Sequence, residues 1–261
     1  DIEIESATGN VLIAKGAAID LSADYNHAGL LKVTALKGQV TLDGAISGKA
    51  RNGEHEPNPE LRNGGVDMRA GQIAGFAALN ARLNDGGVTQ SRSSLTKSGD
   101  LVIGDEVKAR NVSTTADGGS LTVTGRIDAS GAKPGSIRLS AKNDLVLTGS
   151  AVLDARGTVL QVDAYGAPVE ASNRATVELT SAGGMLTLQQ GATIDLSSPD
   201  GPGRGRIELN ARRLGGNDVA IAAEGTLKIR GADSLSVNAF RSYQPVGGII
   251  DQALLDNIHI D

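Results

Sequence analysis

Apolar and polar residues alternate along most of this chain in short phrases that turns separate. In GSIRLSAKNDLVLTGSAVLDARG, residues 135–157, apolar side chains recur at every second position, and Asn-Asp and Gly-Ser pairs interrupt the alternation. A period of two places one set of side chains inside and the other in solvent. Each phrase therefore predicts a group of short β-strands.

The phrase recurs along the chain, at 29–50, 119–131 and 175–201. Three short strands in a unit of about two dozen residues do not suit a β-sandwich, whose strands are longer. They suit one coil of a parallel β-helix, in which each strand stacks on its equivalent in the next coil. Because parallel crossovers are right-handed, the sequence predicts an all-β, right-handed parallel β-helix over 1–240.

Stacked coils predict an interior built from ladders of aliphatic side chains. Equivalent strands lie about 4.8 Å apart, so about seven to ten coils would form a rod. The residues expected in the core ladder are Ile137, Leu139, Leu145, Leu147, Leu153, Val177, Leu179, Leu186, Leu188 and Ile194.

The repeat is interrupted in two places, and it ends before the last residues. The polar, proline-containing stretch at about 51–65 and the stretch at about 157–174 predict loop insertions. We expect His55 and Glu56 in the first insertion, and Tyr165 in the second, to be contact residues. Residues 241–261 predict a C-terminal cap or flanking segment, which the apolar spacing allows to be helical. Helix-period stripes are lacking before that segment, which disfavours an α-solenoid.

Composition agrees with a narrow aliphatic interior and many turns. Aromatic residues make up 2% of the chain, and glycine occurs 35 times, which suits turns that need positive φ. The net charge is −5 with both signs interspersed, so a nucleic-acid partner is not expected. No apolar run is long enough for a membrane span. The chain has no cysteine, which excludes disulfides and a thiol nucleophile.

The recurring acid of the repeat is the main candidate for chemistry. Asp20, Asp128, Asp154 and Asp195 occupy like positions at the end of the phrase. They could form a line of carboxylates on one face, or each could begin a turn and accept a backbone hydrogen bond two residues on. The second interpretation is favoured, because acids in adjacent coils repel unless a cation or a base intervenes.

Other motifs give no catalytic, metal or cofactor site. The three histidines are far apart in the sequence and form no ligand spacing. GAISGKA at 44–50 and GPGRG at 201–205 lack the strand-to-helix context of a phosphate or dinucleotide loop, so both predict turns. We therefore expect neither enzymatic activity nor a cofactor.

Several phrases together resemble a known family. GSLTVTGRIDASG (119–131), GGMLTLQQGATIDLSSPDG (183–201) and above all SLSVNAFRSYQPVGGIIDQALLD (234–256) resemble the filamentous haemagglutinin family of large bacterial exoproteins, toward their C-terminal end. The resemblance implies a segment of a longer protein that an outer-membrane transporter partner secretes, and that stays extracellular or at the bacterial cell surface. It implies a rod that serves adhesion, biofilm or cell-cell contact through a host-cell, bacterial-surface or polysaccharide receptor.

An alternative function is a β-helix module that binds or cleaves polysaccharide. Such an enzyme needs carboxylates gathered in a groove. Three or more carboxylates converging near Tyr165 would favour the enzyme, whereas an even polar surface would favour the rod.

Overall fold

The protein is described here by a computed structural model that covers residues 1–52, 60–216 and 218–260. Its strands are, in chain order, β1 (Ile2–Glu5), β2 (Val11–Ile13), β3 (Ala18–Asp20), β4 (Ala23–Asp24), β5 (Leu30–Leu42), β6 (Ala45–Ser47), β7 (Ala50–Arg51), β8 (Gly65–Ile73), β9 (Ser91–Thr96), β10 (Leu101–Ile103), β11 (Val107–Lys108), β12 (Asn111–Ala116), β13 (Leu121–Val123), β14 (Arg126–Asp128), β15 (Ser136–Ala141), β16 (Leu145–Leu147), β17 (Val152–Asp154), β18 (Thr176–Ser181), β19 (Leu186–Leu188), β20 (Thr193–Asp195), β21 (Gly205–Arg212), β22 (Ile221–Ala223), β23 (Lys228–Arg230) and β24 (Ala232–Phe240). Two α-helices, α1 (Phe76–Asp85) and α2 (Gln252–Ile260), and two short 3-10 turns, Glu170–Asn173 and Val246–Gly248, complete the elements.

The strands stack in parallel into three long columns. The first column, called the long sheet below, has the order β1-β5-β8-β9-β12-β15-β18-β21-β24, with β2 also paired to β5. The second is β10-β13-β16-β19-β22 and the third is β11-β14-β17-β20-β23, while β3-β6 and β4-β7 form small sheets in the first coils. From β9 to β23, each coil contributes one strand to each column in turn. The all-β parallel solenoid predicted from the repeat is confirmed, and the long sheet has nine levels.

The expected ladder residues stack on one another inside the solenoid. Register pairs join Ile137 to Val177 and Leu139 to Leu179 in the long sheet. The shorter columns pair the remaining residues in the same way, Leu145 with Leu186, Leu147 with Leu188, and Leu153 with Ile194. All ten side chains are at most 4% exposed. Their burial follows from the period of two, because alternate side chains of each strand point to the axis.

A polar layer interrupts the aliphatic interior at β9. Its inward positions carry Arg92, Ser94 and Thr96, all buried, where neighbouring coils carry aliphatic or small residues. The buried apolar residues accordingly form two clusters, one spanning Val11 to Val88 and the other Leu101 to Ala220. The interior is therefore two stacked cores rather than one.

Arg92 is the centre of this layer. Its Nε and Nη2 both donate to the Val88 carbonyl oxygen at 3.1 Å, and Nη1 donates to the carbonyl oxygen of Asn80 at 3.3 Å. Burial lowers the pKa of Arg92 to about 10. Backbone carbonyls thus compensate the buried guanidinium.

Helix α1 lies between β8 and β9, where the third coil has no strand in the two shorter columns. It buries Leu79, Asn80 and Leu83 against the first core. The sequence did not predict this helix. Phe76, Leu79 and Leu83 do form a helical stripe, but it is too short to stand out beside the repeat.

Close approach between coils requires glycine at several turns. At Gly119, a Cβ atom would lie 2.1 Å from the carbonyl oxygen of Gly99 in the coil below. No larger residue fits there without moving the backbone. At Gly104 a Cβ would meet nothing closer than the Thr124 hydroxyl at 3.6 Å, so some glycines are not required by packing.

The inward-facing side chains of the last strand, β24, are exposed. Leu235 and Val237 continue the ladders of Ile207 and Leu209, yet they are 51% and 50% exposed. The C-terminal segment that follows contains α2, as the apolar spacing allows. Among the described residues, no helix has the length and apolar character that crossing a membrane requires.

Candidate functional site

The recurring aspartates stack in the third column. Asp128, Asp154 and Asp195 are register partners in three consecutive coils and are called the Asp column below. Each accepts the backbone N–H two residues on, at 3.0 Å from Ser130, 3.3 Å from Arg156 and 3.0 Å from Ser197. These carboxylates therefore brace turns in the way that short acidic side chains do at strand ends.

Asp20 occupies the like position in the first coil. It accepts the Ser22 N–H at 2.9 Å, and hydrogen bonds from Ser22 lower its pKa. Its register partner in the next coil is Ser47, so that coil has no carboxylate at this position. Asp20 is thus separate from the Asp column.

Two arginines neutralise the Asp column. Arg126 Nη2 lies 2.5 Å from Asp154 Oδ2 and 3.9 Å from Asp128 Oδ2. Arg156 Nη2 lies 3.2 Å from the same Asp154 oxygen, and its Nη1 lies 4.0 Å from Asp195. The basic residues thus alternate with the acids and reduce the repulsion between stacked carboxylates.

Asp154 is the most enclosed member of the column, with 3% of its side chain exposed. Burial raises its pKa above the ordinary value, while the N–H of Arg156 and the two guanidinium groups act in the opposite direction. Its oxygens are already engaged by protein donors. The described residues contain no group of three or more His, Asp or Glu side chains placed to hold a metal ion.

Of the three predicted contact residues, the structure describes only Tyr165. His55 and Glu56 lie outside the described residues. Tyr165 is 96% exposed at the tip of the 157–174 insertion. The tip is ordered by Asp163, whose Oδ1 accepts the backbone N–H of Tyr165 at 2.8 Å and of Ala167 at 2.9 Å.

The base of this insertion is bound to the solenoid by a buried arginine. Arg204, 7% exposed, donates from Nε to both Glu170 carboxylate oxygens, at 3.0 and 3.1 Å. Its Nη1 and Nη2 donate to the two oxygens of Asp200 at 2.5 and 2.7 Å. Hydrogen bonding to Arg204 lowers the pKa of Asp200 to about 2. Glu170 belongs to the insertion, so Arg204 fastens it to the 198–204 turn.

The outer face of the long sheet carries a polar groove. The groove has a volume of about 450 Å³ and crosses β9, β12, β15, β18 and β21 near their first residues. Two arginine–glutamate pairs lie in it, Arg138 Nε with Glu178 at 2.7 Å and Arg206 Nη2 with Glu208 at 2.5 Å. Glu178 and Glu208 are register partners in adjacent strands.

The sequence did not predict either the role of Arg204 in fastening the insertion or the groove. Arg204 lies in GPGRG, which was interpreted only as a turn; Asp200 four residues before it was the available signal. The groove residues come from five coils, so no local motif marks them. Their common signal is a polar residue at the first and third positions of β9, β12, β15 and β18, and at the second and fourth positions of β21.

The geometry defines a parallel β-solenoid with a braced insertion and a polar groove. Comparison of the chain with protein-family models, with curated proteins and with solved structures gives no match.

Proposed function

We propose that this chain is a non-enzymatic rod segment of a large secreted or surface-attached bacterial adhesin of the filamentous haemagglutinin type. The observation that carries the proposal is the nine-level stack, whose regular long sheet gives length and a repeated outer surface. The resemblance of residues 234–256 to that family supports the same function. Adhesion, biofilm or cell-cell contact would use the surface of the rod and its insertions.

Export through an outer-membrane transporter partner is part of this proposal. A chain without cysteine forms no disulfide that would obstruct passage as an unfolded chain. The receptor would be a host-cell, bacterial-surface or polysaccharide structure. Expression of the gene with and without the transporter tests export, and surface-exposed protein that appears equally in both cases contradicts it.

Adhesion can be tested with the purified chain. Beads coated with the folded chain should retain more bacterial or host cells than beads carrying heat-unfolded chain at the same density. Equal retention on both kinds of bead would overturn the proposed function.

A polysaccharide-cleaving function is the second candidate, and the groove is the observation that favours it. Glycoside hydrolysis needs two carboxylates on either side of the bond, and Glu178 and Glu208 are neighbours in the groove. Each carboxylate is already engaged by an arginine, Glu178 by Arg138 and Glu208 by Arg206, which leaves fewer of its oxygens free to meet a glycosidic bond. Turnover of a polysaccharide that disappears in Glu178→Gln would establish the enzyme and reject the non-enzymatic rod.

A further inference from the structure

The groove on the long sheet presents two lanes of outward side chains, called lane one and lane two below. Lane one is formed by the first residues of β9, β12, β15 and β18, followed by the second residue of β21, and these stack in register as Ser91, Asn111, Ser136, Thr176 and Arg206. Lane two runs beside it as Ser93, Ser113, Arg138, Glu178 and Glu208. Every one of these side chains is polar.

The lanes repeat the same kind of hydrogen-bonding group at regular spacing. Strands of one sheet lie about 4.8 Å apart, so five strands present donors and acceptors over about 20 Å along the rod. Hydroxyl and amide groups both donate and accept hydrogen bonds. A ligand that fits must itself be extended and must offer polar groups repeatedly along its length.

Charge in the groove is balanced. Among the outward side chains, Arg138 is paired with Glu178 and Arg206 with Glu208, so each outward arginine has an anionic neighbour. Arg92 also lines the groove, but its side chain is buried and donates to backbone carbonyls inside the solenoid. A polyanion such as nucleic acid or an acidic polysaccharide needs a net positive track. The groove therefore favours a ligand without net charge.

Peptide ligands fit this surface poorly. Strand addition needs an exposed sheet edge, but the five strands of the groove are each paired on both sides within the long sheet. An amphipathic helix needs an apolar groove, and the outward positions of both lanes carry no apolar side chain.

We propose that the groove binds a neutral polysaccharide chain that lies across the coils along the rod. Hydroxyl groups of the chain would exchange hydrogen bonds with both lanes, and the paired arginine and glutamate side chains would supply charge-assisted hydrogen bonds. The inference deepens the proposed function and rests on it, because it assigns a ligand class to the contact surface of the adhesin.

The test uses native electrophoresis of the purified chain in gels that contain a neutral polysaccharide, with glucans, mannans and galactans tried separately. At least one should retard the chain, and alginate, an acidic polysaccharide, should not. The double variant Arg138→Ala/Arg206→Ala should weaken binding at least roughly tenfold, the loss expected for two hydrogen-bonding groups. Ser113→Gln, which fills lane two without adding charge, should also weaken it.

Lys97→Ala is the matched control, because Lys97 forms an exposed ion pair with Asp117 outside the groove. It should bind like the unmodified chain, and circular dichroism should show the same fold for all variants. Retardation by no neutral polysaccharide, retardation by alginate alone, or equal binding by the groove variants would each overturn the inference.

The two proposals fail separately. If the double variant still retains cells on beads but no form of the chain binds neutral polysaccharide, the groove assignment is wrong and the adhesin proposal stands. If polysaccharide binding depends on the groove but folded and unfolded chain retain cells equally, the adhesin proposal is wrong.

Discussion

Arg126 reaches from one coil to the next and places its Nη2 atom 2.5 Å from Oδ2 of Asp154. The two residues are 28 positions apart in the chain. Their contact joins two levels of the solenoid through side chains, in addition to the backbone hydrogen bonds of the third column.

Replacing Arg126 by Ala should lower the free energy of unfolding by about 1–2 kcal/mol at neutral pH, because it removes a partner of a buried carboxylate that Arg156 still contacts. Urea unfolding measures this loss. Lys97→Ala, which removes a partner from an exposed pair, should cost less than about 1 kcal/mol.

The effect of Arg126→Ala should also depend on pH. Burial raises the pKa of Asp154 above its ordinary value of 3.8, so Asp154 in the folded protein takes up its proton before the unfolded chain does as pH falls. Once Asp154 is neutral, Arg126 has less charge to stabilise. The loss measured at neutral pH should therefore shrink on acidification, and a loss that stays constant would contradict this account.

Arg92→Met should destabilise the chain, although it replaces a charge by an apolar side chain inside the solenoid. The carbonyl oxygens of Val88 and Asn80 lose the donors that Arg92 supplies, at a cost of about 1–3 kcal/mol. Asn80 Oδ1 also accepts from Arg92 Nη1, at 3.4 Å, and adding Asn80→Leu removes this side-chain acceptor and should recover part of the loss. Urea unfolding of the unmodified chain, the single variant and the double variant measures these losses. A single variant as stable as the unmodified chain would show that the carbonyls need no donor from Arg92.

The ion pair between Arg204 and Asp200 should weaken in acid. The pKa of Asp200 is lowered to about 2, so the folded state gains stability from this carboxylate above its ordinary pKa of 3.8 and loses it as pH falls from there toward 2. Carboxyl NMR of Asp200 measures the pKa directly. In Arg204→Ala the pKa should return toward the ordinary value.

The same variant should expose the 157–174 insertion to limited proteolysis at neutral pH, because Glu170 loses its partner. Arg206→Ala is the matched control, since Arg206 pairs with Glu208 and not with the insertion. Equal cleavage of the two variants would show that Arg204 does not hold the insertion.

Two glycines should respond in opposite ways to alanine. Gly119→Ala places a methyl group against the Gly99 carbonyl and should cost about 2–4 kcal/mol. Gly104→Ala makes only an ordinary contact with the Thr124 hydroxyl at 3.6 Å and should be neutral or stabilising by up to about 1 kcal/mol, since alanine restricts the unfolded chain. Thermal unfolding of both variants measures the contrast, and similar losses in the two would refute the packing argument.

The fold was predictable from the sequence because its signals are local. The alternation in residues 135–157 and its recurrence fix the strands and the coil without knowledge of any contact. The polar layer at Arg92 was not predictable in this way, because a charged residue at an inward position departs from the pattern that reveals the strand.

The candidate site depends on register between coils. Glu178 and Glu208 become neighbours only when β18 and β21 are aligned, and Arg126 meets Asp154 only across a coil. The aspartates were recognisable as turn residues because their backbone partners lie two positions away. Partners more distant along the chain could be identified only from the structure.

The position of the insertions has a consequence for the whole rod. The 157–174 insertion leaves its coil after β17 and ends just before β18, a strand of the long sheet. The interruption of the repeat at about 51–65 likewise ends where a long-sheet strand, β8, begins. Four coil steps separate β8 from β18, which corresponds to about 19 Å along the axis. Both interruptions therefore end on the side of the rod where the long sheet begins, which distinguishes that side from the others. A partner that bound the 157–174 insertion would meet this side, and a longer rod with further insertions at the same position would gain avidity along that line.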